Sequence, residues 1–190
     1  MEPSKTFEAT KEDTLKEALK YYVGITAIFS ALYAVLFAFT STQFEYTWGR
    51  FGIGFGMTLG AGTGIAGAIS IFVKLLIGIV ISVFIFGTIV HIFVYIMGGR
   101  KGFDKTIMAL MYAGTPYLLF GWIPYVGLIA MIWLLVLNVL GIRQFQELTT
   151  GRAILVFLIP IIIIFILLGA GSTTTHVGSP IPAVRVDNFT

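Results

Sequence analysis

Apolar residues in this chain come in long unbroken blocks, without the period of two that marks a half-buried strand or the narrow stripe of a surface helix. Charge-free runs occupy residues 21–39, 75–97, 106–142 and 153–171. A run of about 20 apolar residues is the length that crosses a ~30 Å hydrocarbon core as a helix. Residues 106–142 would extend about 55 Å as one helix at ~1.5 Å per residue, which is more than one crossing needs. Gly121, Pro124 and Gly127 interrupt that run, with Trp122 and Tyr125 beside them as interfacial anchors, so a tight hairpin divides it. The pattern therefore predicts an all-α fold, a polytopic transmembrane helical bundle with five transmembrane helices over 21–39, 75–97, 106–122, 125–142 and 153–171.

The flanks differ in character. Residues 1–20 form a short polar segment in which Thr14 stands three before Glu17, as in a capping box, and Glu12 four before Lys16. Leu15, Ala18, Leu19 and Tyr22 recur at helical spacing, which predicts an amphipathic helix feeding straight into the first span. Pro160 falls inside the fifth span, where a bilayer helix can re-satisfy the freed carbonyl locally. Residues 172–190 read as a polar tail.

The glycine-rich stretch 51–73 supports two readings. Gly52, Gly56, Gly60, Gly64 and Ala68 fall every four residues, a small-residue stripe that would let helices approach closely in lipid. Against a helix, eight glycines lie between positions 49 and 67, each costing about 1 kcal/mol relative to Ala. Lys74 also leaves no room for a turn before the next apolar block. The preferred expectation is a flexible or re-entrant external segment, with an inserted extra helix as the alternative. The Gly-Gly pair at Gly98 and Gly99 closes the following span.

Composition sharpens the class. Hydrophobic residues make up 57% of the 190 and charged residues only 11%, against roughly 25% charged in ordinary soluble domains. With no Cys, disulfides, thiolate catalysis and cysteine-bound metals are excluded. No basic stripe exists for nucleic acid. A cleavable signal peptide would start with an apolar stretch soon after a basic one, whereas residues 1–20 are polar and mixed in charge. Lys5, Lys11, Lys16, Lys20, Arg100, Lys101, Lys105, Arg143 and Arg152 share one face of a five-helix topology, and only Arg50, Lys74 and Arg185 the other. Lys and Arg accumulate on the cytoplasmic side, so the N-terminus is expected inside and the C-terminus outside.

Candidate chemistry is sparse. Gly62, Gly64 and Gly67 match G-x-G-x-x-G, but without the strand, soluble helix and acid that a dinucleotide site needs. His91 is the ionisable residue well inside a predicted span, about 9 Å from its end at ~1.5 Å per residue, where a neutral imidazole can bond a neighbouring polar group. Tyr112, Thr115 and Asn138 make a possible polar seam, with interhelical hydrogen bonding as its plainer explanation. All nine acidic residues lie outside the five spans, which speaks against proton-coupled transport. No metal-binding spacing and no Ser/His/acid set is present, so no catalytic residue, cofactor or metal ligand is assigned. Asn188 heads an N-glycosylation acceptor pattern, useful as a topology hint.

Four local motifs carry a family resemblance. They are Gly98-Gly99 with Gly102-Phe103, Tyr112-Ala113-Gly114-Thr115-Pro116, Gly141-Ile142-Arg143 closing the fourth span, and Leu148-Thr149-Thr150-Gly151-Arg152-Ala153 opening the fifth. In this order, and set among five apolar blocks, they resemble the Yip domain family, five-helix membrane proteins first known as interactors of Ypt/Rab GTPases. The resemblance implies a role in membrane organisation or trafficking through protein contacts, with no cofactor and no chemistry, and does not imply a Rab partner here. Eukaryotic members carry a longer cytosolic arm with an Asp-Leu-Tyr-Gly-Pro-type motif, which this sequence lacks. It therefore resembles a prokaryotic member, archaeal or bacterial, in the cell membrane.

The expected function is a non-enzymatic scaffold or adaptor whose cytoplasmic loops present Lys101, Arg143 and Arg152, with Phe103 beside them, to anionic lipid headgroups and to a protein partner or a second copy of the chain. A small-solute channel or transporter built on Asn138 and Tyr112 is the alternative.

Overall fold

The structure, a computed structural model, describes residues 10, 13–40, 64–123 and 125–171. These are all helical or connecting, with helices α1 (Leu15–Thr40), α2 (Gly64–Ile96), α3 (Phe103–Ala113), α4 (Thr115–Phe120), α5 (Val126–Phe145) and α6 (Thr150–Gly171). Counting α3 and α4 as one broken helix, five helical segments stand where five were expected.

The capping box opens α1. Thr14 donates from both its backbone N–H and its hydroxyl to Glu17 Oε2 at 2.9 Å, and Glu17 N–H donates back to Thr14 Oγ1 at 3.4 Å. These bonds use backbone groups that a helix start otherwise leaves unpaired. Residues 15–20 of the polar segment and the first span are consequently one helix. Glu12, the other expected support, lies outside the described residues.

The start of the second span is corrected. Residues 64–73, expected as part of an external segment, are the first turns of α2, and the helix runs straight through Lys74. The glycine penalty applies mainly upstream, because between Gly64 and Lys74 only Gly64 and Gly67 remain amid Ala, Ile, Phe and Val. Burial of Ile71 against Ala34, with Ala68, Phe72 and Tyr33 around them, stabilises this stretch from α1. Residues 51–63, with Gly52, Gly56 and Gly60 of the stripe, lie outside the described residues. At ~1.5 Å per residue α2 is about 50 Å long, well over a ~30 Å hydrocarbon core.

The third span is broken. Pro116 stands at the start of α4, and its missing N–H cannot bond the carbonyl of Tyr112 one turn back. Gly114 bridges the break, donating to Leu110 O and accepting from Leu118 N–H, both at 3.0 Å. The hairpin expected after it is present: Gly121 N–H bonds Tyr117 O at 2.6 Å, Trp122 Nε1 donates to Leu119 O at 2.7 Å, and Tyr125 takes φ 65° before α5 begins.

Helix α5 continues through Phe145, so Gly141-Ile142-Arg143 lies within its last turns instead of closing it. Both α2 and α5 end in Schellman motifs. Gly98 N–H bonds Tyr95 O at 3.1 Å and Gly99 N–H bonds Val94 O at 2.9 Å, with Gly98 at φ 96°. At the end of α5, Leu148 N–H bonds Arg143 O at 3.0 Å and Glu147 takes φ 55°.

Helix α1 packs on α2, α3 and α4, while α3 packs on α2 and α5, and α4 on α5. The core gathers Val90 and Val94 of α2, Ile107 and Met111 of α3, Ile142 and Phe145 of α5, and Ala153 and Val156 from the start of α6. The α2–α3 crossing is close because position 87 is Gly: a Cβ there would strike the Ile107 side chain. Residues 158–171, with Pro160, form a second unit, a helical segment with Ile161, Ile162, Ile163 and Ile166 exposed.

Outward-facing positions are apolar. Ile81, Ile85, Ile89 and Ile92 of α2 and Ile129, Ile132 and Val136 of α5 are all exposed, a surface far more apolar than a water-soluble monomer tolerates. Three helices, α1, α2 and α5, are individually long and apolar enough to cross a bilayer, and the described part of α6 is a shorter apolar helix.

Candidate docking site at one end of the bundle

The α2–α3 connection and the α5–α6 connection meet at one end of the bundle, and one side chain joins them. Gln146 follows the last residue of α5 and is 2% exposed. Its Nε2 donates to Gly102 O at 2.8 Å and to Thr106 Oγ1 at 3.0 Å, while its Oε1 accepts from Lys101 N–H at 3.1 Å. A single carboxamide thus satisfies three groups of the opposite loop, using both faces of its donor and acceptor capacity.

Thr106 passes the network on to α2. His91 Nδ1 lies 2.8 Å from Thr106 Oγ1. The Thr106 hydroxyl, with one hydrogen and two lone pairs, can serve Gln146 and the His91 ring at once. Phe103 meets the His91 ring edge-on at 5.4 Å between centroids. His91 therefore serves here as a polar link between α2 and α3.

The glycines fit this junction for distinct reasons. Gly98 needs its positive φ, as does Gly102 at φ 95°. Gly99 is buried, and a Cβ on it would stand 2.5 Å from Val94 Cγ1 and 3.1 Å from Gln146 Oε1. Any side chain there would wedge the loop away from the carboxamide that holds it.

The basic residues are not equivalent. Lys101 Nζ pairs with Glu147 Oε2 at 2.7 Å, both side chains about half exposed. Arg100 lies over the Tyr95 ring, 4.2 Å from its centroid. Arg143 and Arg152 are exposed and have no hydrogen bond or ion pair among the described residues; Arg152 Nη1 lies 3.4 Å from where a Cβ on Gly98 would stand. Arg143, in the last turn of α5, suits the negative end of a helix dipole, whereas Arg152, in the first turn of α6, does not.

Tyr112 and Thr115 belong to a second cluster that fastens the start of α1. Tyr112 Oη donates to Asp13 Oδ2 at 2.5 Å, and Lys105 Nζ donates to Asp13 O at 3.4 Å. Tyr21 Oη and Thr115 Oγ1 are 3.0 Å apart, and the Tyr21 and Tyr112 rings lie 5.5 Å apart. Tyr112 also stacks on Phe145 at 6.3 Å. Pro116 contributes the helix break and no polar contact. Asn138 is 7% exposed on α5, and its Oδ1 has no hydrogen-bond partner among the described residues.

Gln146, Thr106 and Asp13 are the members that sequence reasoning missed. Gln146 carries a faint signal, an uncharged polar residue between Phe145 and Glu147 just past an apolar block. Among the described residues no cluster of three or more His, Cys, Asp or Glu could hold a metal ion.

No curated protein and no solved structure matches this chain. The family model described as the Yip1 domain matches residues 1–171, a span that includes α1, both loop clusters and all of α6. This multi-pass helical membrane protein belongs to the Yip1 domain family.

Proposed function

We propose that the protein is a non-enzymatic membrane scaffold or adaptor that works through the joined α2–α3 and α5–α6 loops, with this end of the bundle in the cytoplasm of a cell membrane. The observation that carries the reading is Gln146. One buried carboxamide holds the two loops together while Arg143 and Arg152 remain exposed beside it. A rigid, basic platform of this kind suits docking to acidic partner segments or to anionic headgroups. Orientation rests on the excess of Lys and Arg at this end.

Solute transport has less support. Two of its three polar residues, Tyr112 and Thr115, bond to Asp13 and Tyr21, which leaves Asn138 alone on α5.

The test is crosslinking in native membranes of the wild type, K101Q and the R143Q/R152Q double variant, reading both recovered partners and topology. The double variant should lose partners with its topology intact. K101Q should behave as wild type, because Lys101 is already paired with Glu147. Unchanged partners together with scrambled insertion would assign these charges to topology alone and end the proposal.

A further inference from the structure

We infer that the corner where α2 ends and α6 begins is a binding site for the phosphate of an anionic membrane phospholipid, held by Arg100 and Arg152. Two arginines border that turn. Arg152 Nη1 sits over the Gly98 turn, and Arg100 follows that turn by two residues, its guanidinium held against Tyr95. Neither has a carboxylate partner among the described residues. Glu147, on the loop that leads into α6, pairs with Lys101.

Arg152 is the informative member. A cation in the first turn of a helix faces the positive end of its dipole, so it does not serve α6, and no acidic residue occupies that turn to offset it. It gains no hydrogen bond from Gly98, which it only overlies. The arrangement leaves a planar set of donors free for an anion, and guanidinium matches phosphate in a bidentate fashion.

The surroundings select a lipid over a soluble phosphate. Tyr95 is 56% exposed and amphipathic, suited to the headgroup level. One turn deeper on the same helix face, Ile92 is exposed. Leu155, one turn after Arg152 on α6, is exposed as well. Phosphate donors at the rim with apolar walls beneath them match a headgroup followed by acyl chains.

The inference shares with the proposed function only the identity of this face. It is tested on detergent-purified full-length chain, where orientation and protein partners have no part. The probes are phosphatidylglycerol, phosphatidylcholine and inorganic phosphate, with lipid retention read by native mass spectrometry. Wild type should retain phosphatidylglycerol over phosphatidylcholine. R100Q and R152Q should each weaken retention about fivefold and the double variant about 30-fold, from the contribution of a basic residue near an anionic surface. K20Q, an exposed cation of α1, should leave retention unchanged. R100K/R152K preserves the charge that guides insertion, so it gives a reading even if the Gln variants fail to insert; retention should fall because the planar fork is lost. Wild-type retention in the double variants, an equal loss in K20Q, or equal competition by inorganic phosphate would overturn the inference.

Discussion

At the residue scale, the junction depends on a few side chains whose roles differ sharply in cost. Gln146 is buried and bonded three ways, so Gln146→Leu leaves Lys101 N–H, Gly102 O and part of the Thr106 hydroxyl's capacity unmet. Lys101 and Gly102 are exposed and can turn to water, whereas Thr106 is buried; an unsatisfied buried group costs about 1–3 kcal/mol, and unfolding of the detergent-solubilised protein should show a loss in that range. K101Q should cost less than ~1 kcal/mol, since the Lys101–Glu147 pair is half exposed and solvent-screened. Equal losses would mean the ion pair, not the carboxamide, joins the loops. Glu147 offers a further contrast. It holds φ 55°, a conformation costing a non-glycine residue roughly 1 kcal/mol or more. Glu147→Gly relieves that strain and forfeits the half-exposed pair with Lys101, so stability should be unchanged or slightly raised. A clear loss would show the pair is stronger than its exposure implies.

At the element scale, much was legible and the exceptions have physical causes. The capping box at Thr14 and Glu17, the closing Gly98-Gly99 pair and the hairpin around Gly121 and Trp122 are local signals, and each structural device sits where its residues stand. The start of α2 was not legible, because the glycine penalty is local whereas the compensating burial of Ile71 comes from α1, thirty-odd residues away in sequence. The length of α5 was misread because Arg143 looked like a helix end, yet a cation in a last turn is favourable and the helix runs on to Phe145. Close approach of α2 and α3 gives a prediction of its own. Gly87→Ala should be less stable than Gly24→Ala by about 1–3 kcal/mol, the usual range for overpacking, because its Cβ meets the Ile107 side chain. Gly24→Ala, in α1 with nothing within 4 Å, should be neutral or stabilising by up to ~1 kcal/mol. Unfolding midpoints of the two variants, measured side by side, check the α2–α3 crossing; a tolerant Gly87 would contradict it.

At the scale of the whole molecule, membrane class was plain from apolar block length, and the family from motif order. Which motif residues act together was not. Tyr112 and Thr115 suggested a seam through the bilayer, and they fasten the start of α1 through Asp13 and Tyr21 instead. Lys101, Arg143 and Arg152 looked alike as charges, and geometry separates one paired lysine from two exposed arginines. Such differences arise from contacts between residues forty or more positions apart, which no local pattern encodes. The central claim is that the α2–α3 and α5–α6 loops form one face, and that this face is cytoplasmic. Because the chain has no Cys, K101C/E147C introduces the only two thiols, at positions whose native side chains touch at 2.7 Å. In oriented membranes a short thiol crosslinker should join them, and a membrane-impermeant thiol reagent applied from outside should not prevent it. Absence of the crosslink, or complete protection by the external reagent, would contradict the account.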